Sequence, residues 1–352
     1  MIKKIIAGPC SVESRDQLRR VTEALAAMPR VGLIRAGVWK PRTRPGGFEG
    51  LGEQALQWMQ ELSAEFGVGY CCEVATPEHV ALCQRYGIGT VWIGARTSGN
   101  PFMVDELSEA LRGSDMEVLV KNPTSPDVAL WIGAIERLRK AGIAKVVAVH
   151  RGFSTYRAVN DLTGDTAACT DYRNTPLWEV PMTLRRELPD VPLLCDPSHI
   201  AGRRDLVASL VRMAVLFDYD GLMVEVHHDP DAALTDATQQ LTPQTFASLL
   251  DNMLTLSTTT SSVPQLEPVR HQIDEIDREL LSLLARRMEI SRQIAFIKRD
   301  LKMPVYQSGR WADVVADRLA RAAELGLDAD FTRDLMEKIH AESMRVQLPE
   351  RE

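Results

Sequence analysis

The sequence predicts an α/β chain built as a (β/α)8 TIM barrel followed by a separate all-α three-helix domain. Three observations carry that prediction. Eight short, nearly continuous apolar runs alternate with helical stretches through the first part of the chain. A Ser/Thr run followed by two prolines, "LSTTTSSVPQLEP" at 256–268, then breaks the pattern. Beyond it only helical periodicity remains. The expected division is a barrel over 1–256, a linker over 257–268 and a helical domain over 269–352.

The apolar runs are "KIIAG" (4–8), "GLIRAG" (32–37), "VGYCCEV" (68–74) and "TVWIG" (90–94), then "EVLVK" (117–121), "KVVAVH" (145–150), "PLLCD" (192–196) and "DGLMVEV" (220–226). Such runs fit parallel strands buried on both faces. Helical segments such as 14–28, 53–66 and 126–142 separate them. Eight strand–helix units in roughly 250 residues suit a closed barrel. A doubly wound open sheet is the structural alternative.

In the tail, Ile273, Ile276, Leu280, Leu283, Leu284, Met288, Ile294 and Ile297 recur at helical spacing, with Pro304 as the expected stop. A second helix is expected over 308–325, ending near Gly326, and a third from about Asp328 to Gln347. Helices this few cannot bury such a stripe alone, so a homodimer through this domain is expected, with a larger homo-oligomer open.

The bulk numbers exclude several classes. The 352 residues carry a net charge of −7, with 45% hydrophobic and 25% charged residues. An acidic chain has no global field for nucleic acid. No apolar run approaches the ~18 residues of a membrane span, and "MIKKIIAGPC" is too short for a signal peptide. Cysteines 10, 71, 72, 83, 169 and 195 show no paired spacing, which reads as reduced thiols in the cytoplasm.

Against the acidic balance, "KPRTRPGG" at 40–47 concentrates cations on a loop stiffened by prolines. Barrel active sites sit where strands end. Those positions hold Cys10, Arg35 with Lys40, Glu73, Arg96, Lys121, His150 with Arg151, Asp196 with His199, and Glu225 with His227. The cations Arg35, Lys40, Arg42, Arg96, Lys121 and Arg151 would converge and repel unless anions sat between them, and they suit phosphate and carboxylate together. Cys10, His199, Glu225 and Asp236 form a mixed donor set for a divalent transition metal. His227 and His228 compete for the imidazole place.

The motifs "AGPCSVES", "KPRTRPGGFEGLG", "IGAR", "CDPSHIAGRRDLV" and "VEVHHDPDAALTD" together resemble the 3-deoxy-D-arabino-heptulosonate 7-phosphate (DAHP) synthases. Within them the chain looks closest to the compact type I subgroup related to ketodeoxyoctulosonate phosphate synthase. The resemblance implies condensation of phosphoenolpyruvate with erythrose 4-phosphate, with release of phosphate. It implies one divalent metal ion per barrel (manganese, iron, cobalt or zinc) on Cys10, His199, Glu225 and Asp236. It implies phosphoenolpyruvate on Arg35, Lys40, Arg96, Lys121 and Arg151 with Glu73 nearby, and the sugar phosphate on Arg42 and Thr43. The "KPRT" loop favours the four-carbon sugar over the arabinose phosphate of the sister synthase. Asn122-Pro123 and His150 depart from the residues common in close relatives.

The segments "VRHQIDEIDRELLSLLARRMEISRQIAFIK", "PVYQSGR" and "ESMRVQ" resemble the all-helical chorismate mutases, which fold as interlocked dimers. That resemblance implies a chorismate site of Arg270 from the partner subunit with Arg287, Lys298, Gln307, Arg310, Ser343 and Gln347. Lys298 and Gln347 would flank the ether oxygen, where charge develops. Trp311 stands where that family commonly has a glutamate. The implied whole is a bifunctional shikimate-pathway enzyme. The alternative keeps the synthase and makes the tail a regulatory module for prephenate or chorismate.

Overall fold

The computed structural model describes residues 2–40, 46–154, 172–257, 266–306 and 308–348. It divides into two compact units, Met1–Thr259 and Thr260–Glu352.

The first unit runs β1 (Lys4–Gly8), α1 (Arg15–Ala26), β2 (Leu33–Arg35), α2 (Glu53–Phe66), β3 (Tyr70–Val74), α3 (Pro77–Arg85), β4 (Thr90–Ile93), α4 (Ala95–Ser98) and α5 (Pro101–Leu111). It continues with β5 (Glu117–Lys121), α6 (Val128–Lys140), β6 (Val146–His150), α7 (Glu179–Glu187), β7 (Leu193–Cys195), α8 (Pro197–Ala201), α9 (Val207–Leu216), β8 (Gly221–Glu225) and α10 (Pro243–Ser257). Each strand pairs in parallel with the next, and β8 returns to β1 in the register Lys4↔Gly221 to Gly8↔Glu225. That closing ladder excludes the open sheet.

The helices cover the strands through one apolar face each. In α1, Leu18, Val21, Thr22 and Leu25 are buried, and the Ser14 side chain caps the helix by accepting from the Gln17 N–H. Strand backbones thereby have both faces occupied, and every residue of β4, β6, β7 and β8 is buried. Polar side chains at the strand ends collect at one end of the barrel.

The second unit is α11 (Leu266–Asp300), α12 (Ser308–Glu324) and α13 (Ala329–Arg345). Two boundaries differ from those the sequence suggests. Residues 266–268 belong to α11 and Ser257 to α10, rather than to a linker. Pro268 is tolerated there because first-turn N–H groups have no helical partner to lose. The rest of the expected linker lies outside the described residues.

Helix α11 also ends before Pro304. Lys302 takes a left-handed backbone (φ 52°), the Met303 N–H donates to Lys298 O and the Lys302 N–H to Arg299 O. This is a Schellman closure, which satisfies the last carbonyls without proline. Gly326 (φ 72°) closes α12 in the same way, with Leu327 N–H on Ala322 O. The Asp328 carboxylate then caps α13 by accepting from the Phe331 N–H.

Candidate active site

The barrel mouth encloses a cavity of about 320 Å³ lined by Lys40, Arg96, Lys121, Arg151 and Arg173, together with Glu73, Asn174 and His199. Arg35 lies beneath it, 2% exposed. Its Nη2 is 3.0 Å from Glu225 Oε1, while its Nη1 is buried with no hydrogen bond and stands 4.0 Å from Asp196 Oδ2. Arg151 Nε is likewise buried without a partner. Burial pushes the Arg151 guanidinium down to about 10, the neighbouring Arg173 and Arg96 adding to it despite Asp196 and Asp236. Two donors held in this way ask for an anion.

The floor comes from a residue that the sequence did not single out. The Trp92 ring lies under the Arg35 guanidinium (5.1 Å) and the Lys121 ammonium (5.5 Å), and its indole N–H donates to Glu73 Oε2 at 2.9 Å. Gly94 completes the seat: a Cβ there would meet Glu73 Oε1 at 2.3 Å. Only a residue without a side chain leaves that carboxylate its place.

Internal carboxylates separate the cations. Lys121 Nζ is 2.7 Å from Asp196 Oδ2. Burial opposes ionisation of Asp196, but His199, Lys121 and Arg35 outweigh it and hold the carboxyl well below its usual range. The same carboxylate lies 2.8 Å from His199 Nδ1. Burial, and Lys121 with it, lowers His199 despite Asp196, so the ring is neutral with its proton on Nδ1. Nε2 is then a free lone pair, 3.6 Å from Glu225 Oε1.

The expected metal quartet is only partly assembled. Cys10, Glu225 and Asp236 place one donor atom each within 4.8 Å of one another, and His199 is not in that group. The Lys40 ammonium stands among them, 2.8 Å from both Cys10 Sγ and Asp236 Oδ2. Arg35 beside Glu225 and Arg173 beside Asp236 add further positive charge to this donor set. Burial and Glu225 push the Cys10 thiol up to about 12 despite Lys40. Burial opposes Lys40's charge too, yet Cys10, Asp236 and Glu225 raise its pKa.

Two further observations fit a divalent metal here. Glu225 Oε1 is buried and, although 3.0 Å from Arg35 Nη2, accepts no hydrogen bond. Asp236 adopts a left-handed backbone (φ 46°), strained for a residue with a Cβ, which aims its carboxylate at Cys10. A bound metal would draw on donors of soft, borderline and hard character. His227, an alternative imidazole, instead lies 3.6 Å from Glu13 and accepts the Asp229 N–H at Nδ1.

Supporting amides hold this frame. Gln239 donates to Glu225 Oε2 at 2.6 Å and accepts from Arg173, whose Nη1 also reaches Asp236 Oδ1 at 3.0 Å. Asn174 accepts from Arg151 Nη1 and donates to the His199 carbonyl. Gly152 makes room for Asn174: its φ is 78° and a Cβ would lie 2.8 Å from the Asn174 Cβ. Asn122 accepts the Arg151 N–H and donates to the Gly152 carbonyl, which ties the ends of β5 and β6. Their spacing carries no sequence signal, because amide pairs across loops have no period. Arg42 and Thr43 lie outside the described residues.

In the helical unit, Arg287 on α11 donates to the Ser343 hydroxyl on α13, and Gln347 Nε2 donates to Ser343 O at 3.0 Å. Lys298 Nζ donates to Val305 O at 2.5 Å. Gln347 Oε1 is buried and unpartnered. Arg310 and Arg270 are exposed, and Gln307 lies outside the described residues. Arg270 is 17 positions before Arg287 on one helix, about 25 Å away at ~1.5 Å per residue. It cannot reach the Arg287 site of its own chain.

Residues 3–260 match the DAHP synthetase I family, and residues 269–348 match chorismate mutase type II. A phospho-2-dehydro-3-deoxyheptonate aldolase of Thermotoga maritima is 32% identical over 253 residues, 72% of this chain and 69% of the relative. The T-protein of Enterobacter agglomerans is 35% identical over 81 residues, 23% of this chain and 22% of that protein. The crystal structure of the Thermotoga maritima DAHP synthase superposes with a TM-score of 0.62 at 30% identity, covering 72% of this chain and 69% of that one.

Proposed function

The chain belongs to the DAHP synthetase I family and carries a chorismate mutase type II domain behind its barrel, and from that premise we propose how its two sites work. It is a bifunctional shikimate-pathway enzyme, a synthase and a mutase on one chain. The barrel condenses phosphoenolpyruvate with erythrose 4-phosphate. The observation that carries this is the pair of orphaned guanidinium donors, Arg35 Nη1 and Arg151 Nε, beside a mixed thiol–carboxylate donor set.

Arg35, Lys40, Arg96, Lys121 and Arg151 take the carboxylate and phosphate of phosphoenolpyruvate, and Arg42 with Thr43 takes the sugar phosphate. Holding two anions together offsets their repulsion and orients C3 of phosphoenolpyruvate towards the aldehyde carbon. The C2–C3 π pair forms the new C–C bond, and the carbonyl oxygen gains a proton. Water adds at C2 and loses its proton, for which Glu73 is the carboxylate at hand. The resulting phosphohemiketal collapses with loss of phosphate. Cys10, His199, Glu225 and Asp236 would hold one divalent metal, which when bound supplies Lewis-acid polarisation of the aldehyde.

The helical unit converts chorismate to prephenate, with Arg287, Lys298, Arg310, Ser343, Gln307 and Gln347 from one chain and Arg270 from its partner. Ile273, Ile276, Leu280 and Leu283 are each more than half exposed in the single chain, a stripe that a second copy would cover. Prephenate or chorismate held there is proposed to restrain the barrel, and reduced thiols suit the cytoplasm.

The test has two arms. Phosphate release from phosphoenolpyruvate should require both erythrose 4-phosphate and a divalent metal. Chorismate absorbance should fall when full-length protein is added, with prephenate as product. Release without the sugar would overturn the first arm. Prephenate binding without chorismate loss would reduce the tail to a sensor.

A further inference from the structure

Trp311 on α12 and His340 on α13 belong to the helical unit but have no place in the reading above. Their rings stack, with centroids 3.9 Å apart and planes 14° from parallel, and Tyr306 tilts against the same imidazole at 6.1 Å. The stack fixes the imidazole, since turning it about Cα–Cβ would lose the contact. His340 is three residues before Ser343, so the two share a face of α13. Ser343 is where the Arg287 guanidinium docks. Gln347 follows just past the end of α13, and its Nε2 donates back to Ser343 O.

Two polar atoms, one on each side of Ser343 in sequence, are buried with no hydrogen bond: His340 Nε2 and Gln347 Oε1. Burial lowers the His340 pKa, and Arg287 and Lys298 add to the effect. The ring is thus a neutral donor or acceptor near two cations. The cations suit the carboxylates of a dicarboxylate ligand. An uncharged nitrogen among them suits a hydroxyl, which needs a hydrogen bond but no counter-charge.

We propose that His340, held by Trp311, is a further ligand-contacting residue of the helical site, its Nε2 hydrogen-bonding the ring hydroxyl of the substrate. This rests on reading that site as a chorismate site. It makes the Trp311–His340 pair a specificity device, which discriminates a hydroxylated ring from one lacking the hydroxyl.

The test uses the full-length protein with chorismate, following loss of absorbance. His340→Phe keeps a ring on Trp311 and removes the nitrogens. It should raise KM roughly five- to tenfold while kcat stays within about twofold, the pattern of a lost uniform binding contact. His340→Gln, which restores a donor, should recover much of that loss. Trp311→Leu leaves the nitrogens but removes their support, and should raise KM by a smaller factor. An unchanged KM in His340→Phe overturns the proposal; should that variant not fold, an unchanged KM in Trp311→Leu overturns it instead. Arg287→Ala separates the two levels of the argument. If it keeps parental turnover, the reading of the site fails. If it is inactive while His340→Phe is unaffected, only the role of His340 fails.

Discussion

Arg35 neutralises Glu225 and approaches Asp196 while keeping Nη1 for a ligand. Removing it leaves the buried Glu225 carboxylate without its close cation, so Arg35→Ala should destabilise the barrel by about 3–5 kcal/mol. Arg35→Lys keeps the charge but loses the planar fork; it should fold and raise the KM for phosphoenolpyruvate at least roughly tenfold. Urea melts and steady-state rates separate the two effects. A normal KM in Arg35→Lys would remove this residue from the anion site. His150 makes a second prediction at this scale. Its Nε2 donates to Pro176 O and its Nδ1 accepts from the Tyr219 hydroxyl, and burial holds its pKa down to about 3, against an ordinary 6.5. The unfolded chain binds a proton between those values that the folded chain refuses. Its contribution is therefore complete above the unfolded value and is lost progressively as pH falls towards the folded one. By pH 5 the loss should be about 2 kcal/mol. His150→Asn should flatten the stability difference between pH 5 and 7.5; equal slopes in both proteins would refute the assignment.

Among the elements, α11 decides the state of the helical unit. It spans 35 residues and leaves Ile273 54%, Ile276 56% and Leu280 52% exposed. A paired Ile276→Asp, Leu280→Asp variant should be monomeric by sedimentation. It should also lose chorismate turnover, because Arg270 would no longer arrive from a partner. A monomer with full turnover would show that one chain suffices. The short α4 and α8 act differently, since each starts at a strand end and delivers one functional side chain. Pro197 at the first position of α8, with Asp196 capping it through the His199 N–H, makes a five-residue helix form where His199 is wanted.

Across the whole molecule, the two units have separate interiors and different chemical needs. A strong chelator should abolish DAHP formation and leave chorismate loss unchanged, because no metal ligand is proposed in residues 269–352. Loss of both activities together would point to metal in the helical fold. Removing residues 260–352 should preserve the barrel's fold and abolish the inhibition by prephenate proposed for the full chain; inhibition that persists would place the effector site in the barrel.

Local pattern is enough to specify the alternation of eight strands with helices, the break after it, and the sort of chemistry gathered at strand ends. These are readable because strand burial and helix faces impose periods on the chain. Helix ends were less legible: Lys302 closes α11 in a left-handed turn usually made by glycine, and nothing in its residue type announces that. Tertiary structure alone decided which side chains meet. Trp92 looks like one more apolar strand residue, yet it floors two cations. Asn122, Asn174 and Gln239 look like solvated amides, yet they brace Arg151, His199 and Glu225. Lys40, read as an anion ligand, sits between a thiol and a carboxylate. The physical reason is closure: β8 returning to β1 brings Cys10 within reach of Asp236, 226 positions away, and no local pattern encodes a distance of that kind.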